Sequence, residues 1–183
     1  VSASADQTVK VWSMEQGRAN FGACMDTLEK HRDSVYAITE FPNTRTLASG
    51  SADTTICIWE GKGSTAIPQF AHVRTLRGHT KLVFVFLFSF PLYWSSVDHT
   101  SCYIVSRSHN VCLLSRYALC AITSEYLASS SHDWSVRIWD AVHGPCLRVL
   151  KGHEEAVTSL AAFAGPDGSV VAPIIFSGSK DCE

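Results

Sequence analysis

The chain has 183 residues, 46% of them apolar, and a net charge of −2, which fits one globular domain and gives no electrostatic case for binding nucleic acid or an anionic membrane. Its seven cysteines form an odd count with no Cys-x-x-Cys pair. That argues against a secreted disulfide scaffold or a zinc ribbon and for free thiols in a reducing compartment.

No charged stretch followed by an apolar one opens the chain at Val1, so no signal peptide is visible. The chain opens inside a repeat, and its natural start is expected upstream. Ser2-Ala3-Ser4-Ala5-Asp6 is a turn-forming cluster, followed by a β-branched run at residues 8–12 that ends on Trp12. Strands are expected at residues 35–39 and 46–49. The cluster Ser49-Gly50-Ser51-Ala52-Asp53 then turns the chain into a strand at 55–59 ending on Trp59, and residues 74–76 supply one more.

The same order returns further along. Strands are expected at 116–123, 126–129, 135–139 and 147–150, with Ser129-Ser130-Ser131-His132-Asp133 as the turn and Trp139 as the strand end. A third round begins at 157–161 and 174–177 and reaches Ser177-Gly178-Ser179-Lys180-Asp181. The phrase Ser-x-Ser-x-Asp-x-Thr/Ser-Val/Ile-x-Val/Ile-Trp is therefore spelled in full at residues 2–12, 49–59 and 129–139. Asp6 to Asp53 is 47 residues and Asp133 to Asp181 is 48, close to the roughly 40–45 of propeller repeats with some loop growth. Four short strands per unit, with few helical stretches, predict an all-β fold of about three to four blade equivalents, each a four-stranded antiparallel sheet.

One stretch breaks the period. His31 lies 22 residues before Asp53, but His79 lies 54 before Asp133, an excess of 32. Removing residues 84–115 restores the register. That segment opens with Phe84-Val85-Phe86-Leu87-Phe88, carries no repeat motif, and is too short and too broken by Pro91 to span a membrane. Translated intron sequence is the preferred reading. A true insertion loop and a membrane-active hairpin are the alternatives.

Gly78-His79 and Gly152-His153 each stand just before a strand, His31 occupies the matching place after Lys30, and Trp139-Asp140 closes a repeat. With these residues in hand, the chain resembles the WD-repeat family of β-propellers. Lys30 stands where that pattern has Gly, and Ser13 and Glu60 stand where it has the final Asp. The resemblance implies a hydrogen-bonded chain within each blade, from Trp to Ser to His to Asp. The residues it would involve are Ser2, Asp6 and Trp12; His31, Ser49, Asp53 and Trp59; His79, Ser129, Asp133 and Trp139; and His153, Ser177 and Asp181. Ser, His and Asp together invite a hydrolase reading, but a nucleophilic triad is needed once, beside an oxyanion hole. A constellation copied in every repeat, with a Trp each time, is structural. The three His lie in different repeats, so no metal site is expected.

Closed propellers have about 4–8 blades, so the chain is expected to be an incomplete propeller from a larger protein, with assembly with another chain as the alternative. No Gly-rich phosphate loop, paired carboxylates or nucleophile elbow appears. The resemblance implies a non-enzymatic scaffold, without cofactor, that binds other proteins or peptides in the cytoplasm or nucleus. The fused alternative is a propeller module of a ubiquitin-ligase substrate receptor or kinase-linked regulator. Candidate partner-facing residues flank the fixed ones: Arg32, Asp33, Thr80, Lys81, Glu154 and Glu155, with Ala52, His132 and Lys180 just before each Asp.

Overall fold

The computed structural model describes residues 1–14, 17, 19–41, 44–62, 69–84, 119–121, 125–163 and 174–181. The described residues form fourteen strands and no helix. They are β1 (Ser2–Ala3), β2 (Thr8–Trp12), β3 (Cys24–Glu29), β4 (Val35–Glu40), β5 (Thr46–Ser51), β6 (Ile56–Lys62), β7 (Gln69–Leu76), β8 (Val83–Phe84), β9 (Leu119–Ala121), β10 (Tyr126–Ser131), β11 (Val136–Asp140), β12 (Cys146–Leu150), β13 (Val157–Phe163) and β14 (Ile174–Ser179).

These strands make four antiparallel sheets in chain order: β1-β2-β3, β4-β5-β6-β7, a third built on β10-β11-β12, and β13-β14. The architecture is an incomplete β-propeller. Only the second sheet has four uninterrupted strands. In the third, β8 and β9 lie along the same edge of β10. Phe84 pairs with Ser130 and Leu119 with the next residue, Ser129. The inner strand of that sheet is thus assembled from two distant pieces. Apart from Phe84, the interruption read at 84–115 lies outside the described residues.

Burial follows position in the stack. In β4, buried and more exposed residues alternate, as on a strand with one packed face. β5 is buried almost throughout because neighbouring sheets cover both its faces, and small residues (Ala48, Ser49, Gly50, Ser51) allow the close approach. The core is divided among the seams between sheets. Val9, Val11, Leu28, Val35, Leu47 and Trp59 fill the first seam. Ala37, Phe41, Ile56, Ile58, Leu76, Leu127 and Trp139 fill the second, and Ala128, Val136, Val157 and Leu160 the third.

Two irregularities recur. In the three sheets that carry a Trp-ending strand, the register shifts immediately before that Trp: at Val11/Trp12, Ile58/Trp59 and Ile138/Trp139. A bulge there bends the strand and re-aims the indole. In the turns after Asp6, Asp53 and Asp133, one residue takes a left-handed backbone: Gln7 at φ 73°, Thr54 at 70° and Trp134 at 68°. For a β-branched or bulky residue this costs roughly 1–2 kcal/mol that glycine avoids. Thr54→Gly is therefore expected to raise unfolding stability by about 1 kcal/mol, read from the denaturation midpoint at unchanged slope.

Candidate functional site

The repeated polar residues meet at one end of each sheet. In the second sheet the Trp59 Nε1–H donates to Ser49 Oγ at 2.8 Å, Ser49 Oγ lies 2.8 Å from His31 Nε2, and His31 Nδ1 lies 3.0 Å from Asp53 Oδ2. In the third the same contacts measure 2.8, 2.7 and 2.8 Å, through Trp139, Ser129, His79 and Asp133. In the fourth, His153 reaches Ser177 at 2.8 Å and Asp181 at 3.1 Å, with no Trp in the set. The first sheet divides the arrangement: Trp12 donates to Ser2 at 2.8 Å, and Asp6 instead accepts from the backbone and hydroxyl of Thr8 at 3.0 and 2.7 Å.

One proton assignment satisfies every member of a complete set. The indole donates to Ser, Ser donates to Nε2 of a neutral imidazole, and Nδ1–H donates to the carboxylate. The Asp accepts more. Asp53 takes the Arg32 and Thr55 amides at 2.9 Å each and the Thr55 hydroxyl at 2.6 Å. Asp133 takes the Thr80 and Ser135 amides at 3.1 Å each. The loop bearing His and the turn bearing Asp are thereby tied into one rim. Ser49 and Ser129 are buried with their hydroxyls engaged, whereas Ser177 in the fourth set is exposed.

Sequence reasoning gave no role to the second Ser of the phrase. Ser51 Oγ accepts the Asp53 amide at 3.1 Å and donates to Asp33 O at 2.9 Å. Ser131 does the same for Asp133 and Leu82 O. Its recurrence was the available signal. Arg74 was also unmarked; from β7 it donates to the carbonyls of Ala141 and Val142 in the next sheet, a link between sheets that a pattern within one repeat does not carry.

Of the partner-facing candidates, Arg32, Asp33, Thr80, Lys81, Glu154, Glu155 and Lys180 are exposed, and Ala52 and His132 are half-buried. Trp134 was not among them. It is 47% exposed at the tip of its turn, and Lys81 Nζ stands 5.4 Å from its ring centre. Its position, matching Gln7 and Thr54 in the other copies, could have drawn notice as the one aromatic. Among the described residues no cluster of three or more His, Cys, Asp or Glu could hold a metal ion, and no helix is long and apolar enough to cross a membrane.

Burial shapes the titration of these groups. It works against the charged form of Asp53, but hydrogen bonds from Thr55, the Arg32 amide and His31 outweigh it and hold the carboxyl below its ordinary value. Asp133 is likewise opposed by burial and drawn lower still by His79, Ser135 and Thr80. Burial lowers the His79 pKa against the pull of Asp133 and favours the neutral ring. Burial also pushes the Cys57 thiol, 3.9 Å from His31, up to about 11.

The WD domain, G-beta repeat family model matches residues 22–60, 100–140 and 144–183, more than half the chain. The chain belongs to the WD40 repeat family. Nuclear distribution protein PAC1 of Arthroderma benhamiae is 28% identical to this WD40 chain over 174 residues, covering 90% of the chain and 31% of that protein. Its counterpart in Coccidioides posadasii is also 28% identical, covering 85% and 35%. The chain thus spans about a third of the length of the curated relatives it matches. Solved structures of U3-55K and of the RRP9 WD40 repeats superpose with TM-scores of 0.55 at 19% identity, over 86% of the chain and about a third of theirs, a likeness in fold alone. The middle family match begins at Thr100, whereas His79 supplies the imidazole that reaches Asp133.

Two outcomes follow for the WD40 chain. Asp53→Ala leaves the imidazole and three further donors without an acceptor and should lower stability by about 1–3 kcal/mol, measured by chemical denaturation. Acidification should also destabilise the fold. The folded His79 ring takes its proton at lower pH than the unfolded one, so its contribution is present above 6.5 and lost as pH falls below that value. The contributions of Asp53 and Asp133 are present above 3.8 and lost as pH falls further. Melting temperature against pH should be flat between neutrality and about 9. Above 9 it should decline as the contribution of the buried Cys57 thiol, whose pKa is raised to about 11, is lost. On the acid side it should decline first below 6.5, and more steeply in the carboxylate range.

Proposed function

We propose that this chain is part of a non-catalytic platform that docks other proteins or peptides, inside the cell in the cytoplasm or nucleus, through the rim where the His loops and Asp turns meet. The Trp–Ser–His–Asp sets act as internal struts and chemistry plays no part. Membership of the WD40 family supports the scaffold reading.

The observation that carries the choice of rim is Trp134. A large aromatic stands half in solvent on a left-handed turn, with the Lys81 ammonium over its ring. Aromatic and cationic side chains of this kind dominate binding energy when a partner excludes water from them. Lys81 stands over it, Thr80 donates its amide to the adjoining Asp133, His132 precedes that Asp, and Arg32, Asp33, Ala52, Glu154, Glu155 and Lys180 occupy matching positions on neighbouring sheets. Fixed struts below and varied residues above give each sheet a different contact on one rigid frame.

Affinity capture with the protein should lose bound partners on Trp134→Ala, by at least about tenfold in affinity. Val142→Ala, in the turn at the other end of β11, serves as the control and should retain them. Equal capture by both variants would refute the docking rim.

A further inference from the structure

The rim distributes its charge unevenly. Residues 29–33, 77–81 and 151–155 are matching loops, each with its His in the middle. On the second sheet the loop offers Lys30 and Arg32 together with Glu29 and Asp33, all exposed. On the fourth, exposed Lys151 and Lys180 stand with exposed Glu154 and Glu155. Both of these surfaces are balanced. The third sheet has exposed Arg77 and Lys81, and its loop holds no acidic residue. The turn opposite supplies one, Asp133, but its carboxylate is already taken by His79, Thr80 and Ser135.

A third cation adds to this surface. Half-buried Arg137 on β11 brings its Nη1 to 2.8 Å from where a Cβ on Gly78 would stand. Its charge is felt at the His79 ring, whose pKa is lowered first by burial and also by Arg137. Among the described residues, Arg77, Lys81 and Arg137 enter no ion pair. Arg137 Nε is buried without a hydrogen-bond partner among them. Uncompensated charges of one sign raise the local potential and draw the opposite sign toward them.

Trp134 stands in that field. It is 47% exposed, and the Lys81 ammonium lies 5.4 Å from its ring centre. An apolar surface and a cation without an ion-pair partner are thus side by side. In an extended peptide, side chains two positions apart point the same way and stand about 6.6 Å apart, a spacing that suits the pair.

We propose, resting on the docking rim above, that the partner contributes an extended acidic peptide to the third sheet. Its Asp or Glu pairs with Lys81, and a large apolar side chain two positions away packs on Trp134. The carboxylate stays over the third sheet, because Glu154 and Glu155 on the fourth repel it. Excluding water from the indole supplies most of the affinity, while the carboxylate selects the partner and speeds encounter. Since the ion pair lies at the surface, added salt weakens its share.

Selection of a phage-displayed library of random linear peptides on the 183-residue chain tests this. Enrichment of peptides with Asp or Glu two positions from Trp, Phe, Leu or Met is expected, with binding that weakens as salt is raised. Lys81→Glu and Trp134→Ala alter exposed side chains, so circular dichroism should be unchanged. Each should weaken the selected peptides at least about tenfold, and Val142→Ala should not. Replacing the peptide's acidic residue with Lys should restore binding to the Lys81→Glu protein. Peptides lost on Trp134→Ala that are not acidic, or that Lys81→Glu leaves unaffected, would keep the rim and overturn the acidic partner. Peptides indifferent to Trp134→Ala, or a selection that enriches none, would overturn both.

Discussion

A carboxylate that accepts several hydrogen bonds at the end of a buried polar chain is the interaction on which this fold depends. The indole, hydroxyl and imidazole of each complete sheet are removed from water, and each would be costly if left unmatched. Linked in series they match one another, and the series ends on an Asp that also gathers amides from its own turn and from the adjoining loop. Four segments far apart in the chain are thereby fixed relative to one another. Because a chain of this kind loses more than one contact when any member is removed, the sheet's register and the shape of its rim are determined together.

The rest of the architecture accommodates that arrangement. The bulge before each of Trp12, Trp59 and Trp139 directs the indole toward its Ser, and the left-handed residue after Asp6, Asp53 and Asp133 tightens the turn, so that at Asp53 and Asp133 the carboxylate faces inward. Small residues on β5 and β10 let successive sheets approach, with apolar side chains filling the seams. Constraint is concentrated below the rim. Residues above it, such as Arg32, Thr80 and Glu154, offer their amides to the Asp and leave their side chains to vary. This division lets repeated units with nearly identical interiors present different surfaces.

What could be read from the sequence follows from where the constraints are local. The strands around Asp53 and Asp133 were legible because β-branched runs, turn clusters and a terminal Trp recur at fixed offsets. The His residues were harder, since 22 and 54 residues separate two of them from their Asp, and only comparison between copies revealed the excess. β3 was not anticipated: Cys24–Glu29 carries two acidic residues, sits at a sheet edge and buries only Leu28, so it has no strong apolar alternation. Arg74 and Trp134 escaped for different reasons. The first acts between sheets, beyond any pattern within one repeat. The second stands at a position held by Gln7 and Thr54 in the other copies, which sets no pattern, so its exposure was visible only in three dimensions.

Cys57 shows what the packing around these sets does to an ordinary reactive group. Its sulfur lies on β6 between His31 and Thr75, at the position held by Lys10 and Arg137 in the matching strands. With its pKa pushed up to about 11 by burial, the thiolate amounts to roughly one molecule in ten thousand at neutral pH. Electrophiles and oxidants therefore find almost nothing to attack while β6 and β7 remain zipped together. The rate at which this sulfur becomes labelled is a clock for the breathing of that strand pair, wound by the fold itself.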